Sequence, residues 1–332
     1  MEQTVSMRFG LMLSNRGPVL GYAKPNDLVE LGVQAERSGY FDTVWSGDAF
    51  LVNPRLDAIA LLTAVAARTD RVELAPACMG SFTQRAVLDL AYSWASLDQI
   101  AGGRTFMVAC VGGGSAAAWA RESSTTGVTP RSRRAMMWER IDVLRQLWSG
   151  EAVNVDGDYH TLTDAEIAPI PLRTPYPIWA ATNLTRLASG SANGALPEKT
   201  LAIVGTKCDG WMTHSVDAET FDTAWNRITD AAEQGGRDAR ALDNALVLNL
   251  CVDDDANRAL ETSSNFLEAY YGIRFSAERT RAWTAFGSPA QCAEAINRYR
   301  DSKVRRLALR ITSPDQTGQF ERLVNDVLPR LR

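Results

Sequence analysis

The chain carries few side chains that exchange protons near neutral pH. Its 332 residues include only two histidines, His160 and His214, so imidazole chemistry is confined to two positions. His214 directly follows the apolar run 210–213 and faces whatever site the end of that run builds, which makes it a candidate substrate-side acid or base. His160 closes Gly157-Asp158-Tyr159-His160, a turn-forming stretch where a surface position is expected. Five cysteines, Cys78, Cys110, Cys208, Cys251 and Cys292, are widely and irregularly spaced; they read as reduced thiols. With no Cys-x-x-Cys and so few histidines, no metal site is expected. The run Val111-Gly112-Gly113-Gly114-Ser115 is a loop whose backbone can approach a planar ring or a phosphate without side-chain obstruction. As a dinucleotide-binding turn it fits only loosely. It lies far from the N-terminus, and no acidic residue ends a following strand about 20 residues on, so a nicotinamide nucleotide is not expected as a direct electron source.

These residues need elements to position them. Short apolar, β-rich runs alternate with longer segments of helical period to the end of the chain. Eight strands are predicted, at 7–13, 43–46, 72–76, 105–111, 177–181, 210–213, 245–251 and 307–311. Helices are predicted at 26–38, 56–67, 85–99, 131–149, 218–234, 289–302 and 317–331. Near-continuous apolar strands imply a parallel sheet covered on both faces. Eight strand–helix units predict an α/β fold, a (β/α)8 TIM barrel forming one domain over 1–332. Two segments break the rhythm and read as insertions: 150–174, after the fourth strand, and 253–288, after the seventh, helical and without a strand. Arg131, Arg133 and Arg134 read as the solvated start of the fourth predicted helix.

In such a barrel, chemistry sits at the C-terminal ends of strands. The rule selects Ser14 and Asn15 after the first strand, Asp48 after the second, Cys78, Met79 and Gly80 after the third, Val111, Gly112 and Gly113 after the fourth, Thr182 and Asn183 after the fifth, and His214 after the sixth. Asp48 and His214 are the catalytic candidates; the other reading of Asp48, weighed below that one, is a cap for the next loop or an ion-pair partner of Arg55.

The stretch Gly39-Tyr-Phe-Asp-Thr-Val-Trp-Ser-Gly-Asp48 resembles the second-strand signature of the bacterial luciferase-like flavin monooxygenases and their relatives that use the deazaflavin F420. Ala91-Tyr-Ser-Trp-Ala-Ser-Leu-Asp98, Gly102-Gly-Arg104, Trp138-Glu139, Leu147-Trp-Ser-Gly150 and Cys208-Asp-Gly-Trp211 resemble the same family in the same order, over about the whole chain. The resemblance implies a (β/α)8 barrel. It implies that Cys78, Met79 and Gly80 lie against the cofactor ring, often beside a non-proline cis peptide, and that Val111, Gly112 and Gly113 contact the cofactor. It places the cofactor phosphate at Thr182, Asn183, Ser189 and Gly190. Many relatives have a histidine after the aspartate; here that position is Ala49, so an imidazole mechanism at that point does not carry over. Trp45, Trp94, Trp138, Trp148, Trp179 and Trp211 are expected in the core, with Trp119, after the glycine loop, nearer a ligand.

The functional expectation is a flavin-dependent oxidoreductase, first as a two-component monooxygenase that takes reduced FMN from a separate flavin reductase and oxygenates a small organic substrate. The alternative is F420-dependent hydride transfer, and a further alternative is a non-enzymatic flavin-binding paralogue. A net charge of −4 argues against nucleic acid as a partner. No stretch approaches the roughly 20 apolar residues of a membrane span, and neither a leader nor a membrane partner is expected, so the cytoplasm is the expected location. A homodimer is the expected assembly.

Overall fold

A computed structural model of the protein describes residues 7–184 and 197–331. The strands are β1 (Arg8–Leu13), β2 (Phe41–Ser46), β3 (Glu73–Pro76), β4 (Met107–Ala109), β5 (Val153–Asp156), β6 (Thr161–Ala165), β7 (Ile178–Ala181), β8 (Gly210–His214), β9 (Asp243–Val252), β10 (Thr284–Gly287) and β11 (Arg306–Ile311). Parallel pairing runs β3-β2-β1-β11-β9-β8-β7-β4. The remaining seam, between β3 and β4, is held by the parallel bridges Leu74 to Thr105 and Met79 to Ala109. Eight strands therefore follow one another around a nearly closed barrel in chain order, as expected from the periodicity, and no strand-order switch of the doubly wound kind exists among the described residues. All eight predicted strands are present, with β4 reduced to three residues at the seam.

Period-two alternation sorts the strand side chains. One set, Met12, Trp45, Ala75, Phe106, Val108, Trp179, Met212, Ala245, Val247 and Ala308, packs together inside the barrel. The other, including Leu11, Val44, Leu74, Met107, Ile178 and Leu246, packs against the helices. Helices start where side chains satisfy their free N–H groups: Asp57 accepts from Ala60 N and Asp217 from Thr220 N. Pro25–Ser38 ends at Gly39, whose φ of +71° is the left-handed stop that glycine adopts without strain. Two helices absent from the sequence reading, Gly17–Leu20 and Ala116–Thr126, follow β1 and the glycine loop.

Both insertions are where the sequence places them, and each holds more than expected. The first contains the antiparallel hairpin β5-β6. The second is not purely helical. After Ala256–Tyr271 and Ala277–Trp283 it adds β10, which pairs in parallel with the last residues of β9, Asn249 to Val252. That pairing fixes the insertion to the C-terminal end of the barrel and sets Leu267, Phe275 and Trp283 on the inner cluster.

Three further expectations are corrected. His160 is not a surface residue but buried, its Nε2 accepting from Arg140 Nε at 3.2 Å, because Glu139 collects the N–H groups of Asp158, Tyr159 and His160 and folds the turn inward. Arg133 is not solvated but fully buried against Glu122. Cys78 and Cys110 are not free thiols: residues 32 apart in sequence lie on neighbouring strand ends across the β3–β4 seam, and a disulfide joins them. The free cysteines Cys208, Cys251 and Cys292 are buried, and burial pushes each thiol up to about 12.

Candidate active site

The strand-end face is assembled by backbone first. Ala77 N donates to Ser46 O at 2.8 Å and Met79 N to Val108 O at 2.9 Å, so the turn after β3 is stitched to both neighbours. The peptide Ala77–Cys78 is cis, at the place the resemblance implies. Gly80 sits so close to the chain after β2 that a Cβ there would stand 2.5 Å from Asp48 O. Gly112 has φ +76°, and a Cβ on it would stand 2.8 Å from Gly80 O. These two glycines let three strand ends close on one another. Gly113 is different: a Cβ on it would meet nothing within 4 Å, so its backbone borders open space. Asp48, Cys78, Gly80, Gly112 and Thr182 thus share one end of the barrel.

Asp48 is buried, its Oδ2 accepting from Ser81 N at 2.7 Å while Arg85 Nη2 stands 3.5 Å from Oδ1. Burial pushes its carboxyl above the usual range, against the Ser81 hydrogen bonds and the charge of Arg85. Its cationic partner is Arg85 rather than Arg55, which instead donates to Asn53 O and to the Tyr270 hydroxyl. Ser14 and Asn15 are fully buried; Asn15 Nδ2 donates to Gly47 O at 2.6 Å and Leu56 O at 2.8 Å, which tethers the loop after β2.

The glycine loop is anchored by a pair absent from the sequence reading. Arg133 Nη2 and Glu122 Oε2 meet at 2.7 Å, both nearly inaccessible. Glu122 also accepts from Leu51 N and Gln84 Nε2, both at 3.1 Å, and Arg133 Nη1 donates to Val111 O at 3.4 Å. One buried ion pair therefore ties together the loops after β2, β3 and β4. Trp119 lies under the Arg133 guanidinium, 4.8 Å away, so its ring packs on protein.

On β7 and β8, Thr182 Oγ1 accepts from Trp211 Nε1 at 2.8 Å and Thr182 O accepts from Thr213 Oγ1 at 2.8 Å; Asn183 is exposed. Ser189 and Gly190 lie outside the described residues. His214, at the end of β8, shares a 2.8 Å hydrogen bond between Nδ1 and Ser215 Oγ and stacks on Trp283 with centroids 4.6 Å apart. Burial, then the charges of Arg310 and Arg279, hold its pKa down to about 4, so the imidazole is neutral at physiological pH. In the ring order β2 and β8 lie four strands apart, so Asp48 and His214 face each other across the mouth and do not form a dyad. Next to His214, Arg310 on β11 and Asn249 on β9 pair in register and are completely buried. Sequence reasoning missed both; the one signal was an arginine inside the apolar run Leu307-Ala308-Leu309-Arg310-Ile311. Among the described residues no cluster of three or more His, Cys, Asp or Glu could hold a metal, and no helix is long and apolar enough to cross a membrane.

Known proteins resemble this chain in sequence and share its fold. An F420-dependent glucose-6-phosphate dehydrogenase of Tsukamurella paurometabola is 29% identical, the alignment covering 93% of this chain and 94% of that protein. One of the same name from Amycolatopsis mediterranei is 27% identical over 93% and 95%. Among solved structures, an F420-dependent secondary alcohol dehydrogenase in complex with an F420-acetone adduct superposes with a TM-score of 0.79 at 21% identity, covering 98% of this chain and 99% of the other. A monooxygenase from Streptomyces bottropensis gives 0.76 at 20% identity, over 98% and 100%. The profile described as luciferase-like monooxygenase matches residues 7–306, nearly the whole barrel, and with it the chain belongs to that family and is an enzyme of the oxidoreductase class.

Proposed function

We propose that this enzyme is an F420-dependent dehydrogenase or reductase that moves a hydride between the deazaflavin and a small alcohol or carbonyl substrate. The observation that carries the reading is the match, over 93% of the chain, to relatives named as F420-dependent dehydrogenases. This displaces reduced FMN, O2 and a partner reductase, the first expectation from sequence, which has support in the fold of distant monooxygenases. Room for a planar ring is supported at Gly113, which borders open space, while Gly80 and Gly112 permit close packing of the strand ends around it.

When bound, F420 supplies a two-electron centre that accepts or donates hydride. The chain supplies placement and proton handling. Gly113 and the turn from Cys78 to Gly80 would hold the cofactor ring, and Thr182 and Asn183 would serve its phosphate. His214 is the proton acceptor for a substrate hydroxyl during oxidation, because its imidazole is neutral and its Nε2 has no hydrogen-bond partner among the described residues. Asp48 holds the loops, its carboxylate already engaged by Ser81 and Arg85. Tyr271, Phe275 and Trp283 exclude water on the His214 side, each ring packed on the next.

The test offers F420 and FMN side by side to the purified chain, followed by anaerobic assays with a secondary alcohol and with glucose 6-phosphate. Binding of F420 and anaerobic turnover are expected. Binding of reduced FMN alone, with O2 consumed only when a reductase is added, would overturn the proposal.

A further inference from the structure

Among the described residues four arginines are buried; two of them, Arg306 and Arg133, meet carboxylates, and Arg140 and Arg310 do not. Arg306, on the inner face of β11, is met by Asp243 at 2.7 Å and by Glu73. Arg133 is met by Glu122. Arg140 has no carboxylate, but it donates to the carbonyls of Phe82 and Arg85 and to His160. Arg310, four residues beyond Arg306 on the same face, is fully buried and pairs with no carboxylate among the described residues. Its Nε and Nη2 donate to one atom, Asn249 Oδ1, at 2.9 and 2.7 Å, and Nη1 donates to the Tyr271 hydroxyl at 2.6 Å. A guanidinium has five N–H groups, so two are left over. The rings of Tyr270, Tyr271 and Trp283 lie 5.0 to 5.2 Å from its carbon; they remove water and attract the cation through their π faces, but they carry no formal counter-charge.

The neighbours repeat the pattern. Because Asn249 Oδ1 is fixed by Arg310, the amide cannot flip, and its Nδ2 is a buried donor with no acceptor. Thr284, the register partner of Asn249 on β10, has a buried hydroxyl with no partner. Arg279, whose Nε is likewise unpartnered, adds positive charge close enough to depress His214. Buried polar groups are ordinarily satisfied, and a buried charge is ordinarily paired. Here register sets Arg310, Asn249 and Thr284 side by side on three adjacent strands, with the Asn249 amide and the Thr284 hydroxyl both unpartnered.

We propose that Arg310, Asn249 and Thr284 form a subsite for an oxyanion, a carboxylate or phosphate carried by the substrate, seated beside His214. This rests on reading the strand-end face as the substrate site. The oxyanion supplies the counter-charge for Arg310, accepts from Asn249 Nδ2, and accepts from the Thr284 hydroxyl. Entry requires the roof of Tyr271 and Trp283 to shift, since Arg310 is closed off beneath it.

The test uses the full chain without cofactor, titrated with inorganic phosphate and with acetate, against sodium chloride at matched ionic strength, and followed by thermal melting and calorimetry. The two probes distinguish phosphate from carboxylate. Expected is a rise in melting temperature beyond the chloride control with at least one of them. Asn249→Asp keeps the acceptor for Arg310 and places a carboxylate where the amide was. It is expected to raise the melting temperature of the free protein and to weaken binding of that probe about tenfold or more. Arg310→Met, which removes the charge, is expected to lose the same response and serves if the aspartate variant folds poorly. F420 affinity, measured on the same proteins, is expected to stay within about threefold of the parent, which separates this subsite from the cofactor reading. No anion-specific shift in the parent, or a shift retained in both variants, would overturn the subsite. A parallel loss of cofactor affinity would overturn it as well, by assigning the cluster to the cofactor. If the parent binds anions but not F420, the function proposal fails and the subsite stands.

Discussion

Replacing His214 by Phe removes one proton-binding group and keeps a ring to stack on Trp283, whose centroid lies 4.6 Å away. In the folded protein the imidazole titrates at about 4; in the unfolded chain it titrates near its ordinary value of about 6.5. Between those values the unfolded chain binds a proton that the folded one refuses. The folded state of the parent is therefore favoured at neutral pH and loses stability as pH falls through that window, by at most 1.36 kcal/mol per pH unit. The full span corresponds to about 3 kcal/mol. His214 is only half-buried by accessible surface, so screening reduces this, and about 1 to 3 kcal/mol is expected. Urea unfolding at several pH values between about 7 and 4.5 gives the difference between parent and His214→Phe. Carboxylates and His160, which burial also holds below its ordinary value, occur in both proteins and cancel. The variant should lose less stability on acidification. Parallel curves would show that His214 is not held neutral, and would remove the reason for assigning it the hydroxyl proton.

Gly113→Val should weaken cofactor binding with little change in melting temperature, because its Cβ enters open space, whereas Gly112→Val should lower stability by about 1–2 kcal/mol or more through its positive φ and contact with Gly80 O. The two variants behaving alike in calorimetry and cofactor titration would refute the distinction. Glu122→Gln leaves Arg133 buried without its anion and should cost about 3 to 5 kcal/mol while loosening the cofactor loops, read by denaturation and by cofactor affinity. Trp94→Ala should cost about 3 to 5 kcal/mol in denaturation, since the ring is fully buried and its Nε1 donates to the Tyr176 hydroxyl at 2.5 Å; cofactor affinity should hold if its role is packing alone.

The eight barrel strands were legible because a strand covered on both faces must be apolar along its length, and runs such as 245–251 and 307–311 carry that demand locally. Barrel topology then placed Asp48, Cys78, Gly112, Thr182 and His214 at one end, since every parallel strand delivers its C-terminal residue to the same face. What each residue does there was decided by tertiary structure. Whether Asp48 pairs with Arg55 or Arg85, seven and 37 positions along the chain, depends on how two loops pack. Cys78 and Cys110 became partners through the β3–β4 seam, and Arg133 and Glu122 through the burial of a helix start that composition marks as solvated. The strand β10 was hidden because four residues, Thr284 to Gly287, carry too little periodicity to stand out from the helices around them. Arg310 shows the division most clearly. Its place in an apolar strand is local information, but the absence of a counter-charge is a property of every element packed against it, and only the folded barrel brings Asn249, Thr284, Tyr271 and Trp283 around one guanidinium.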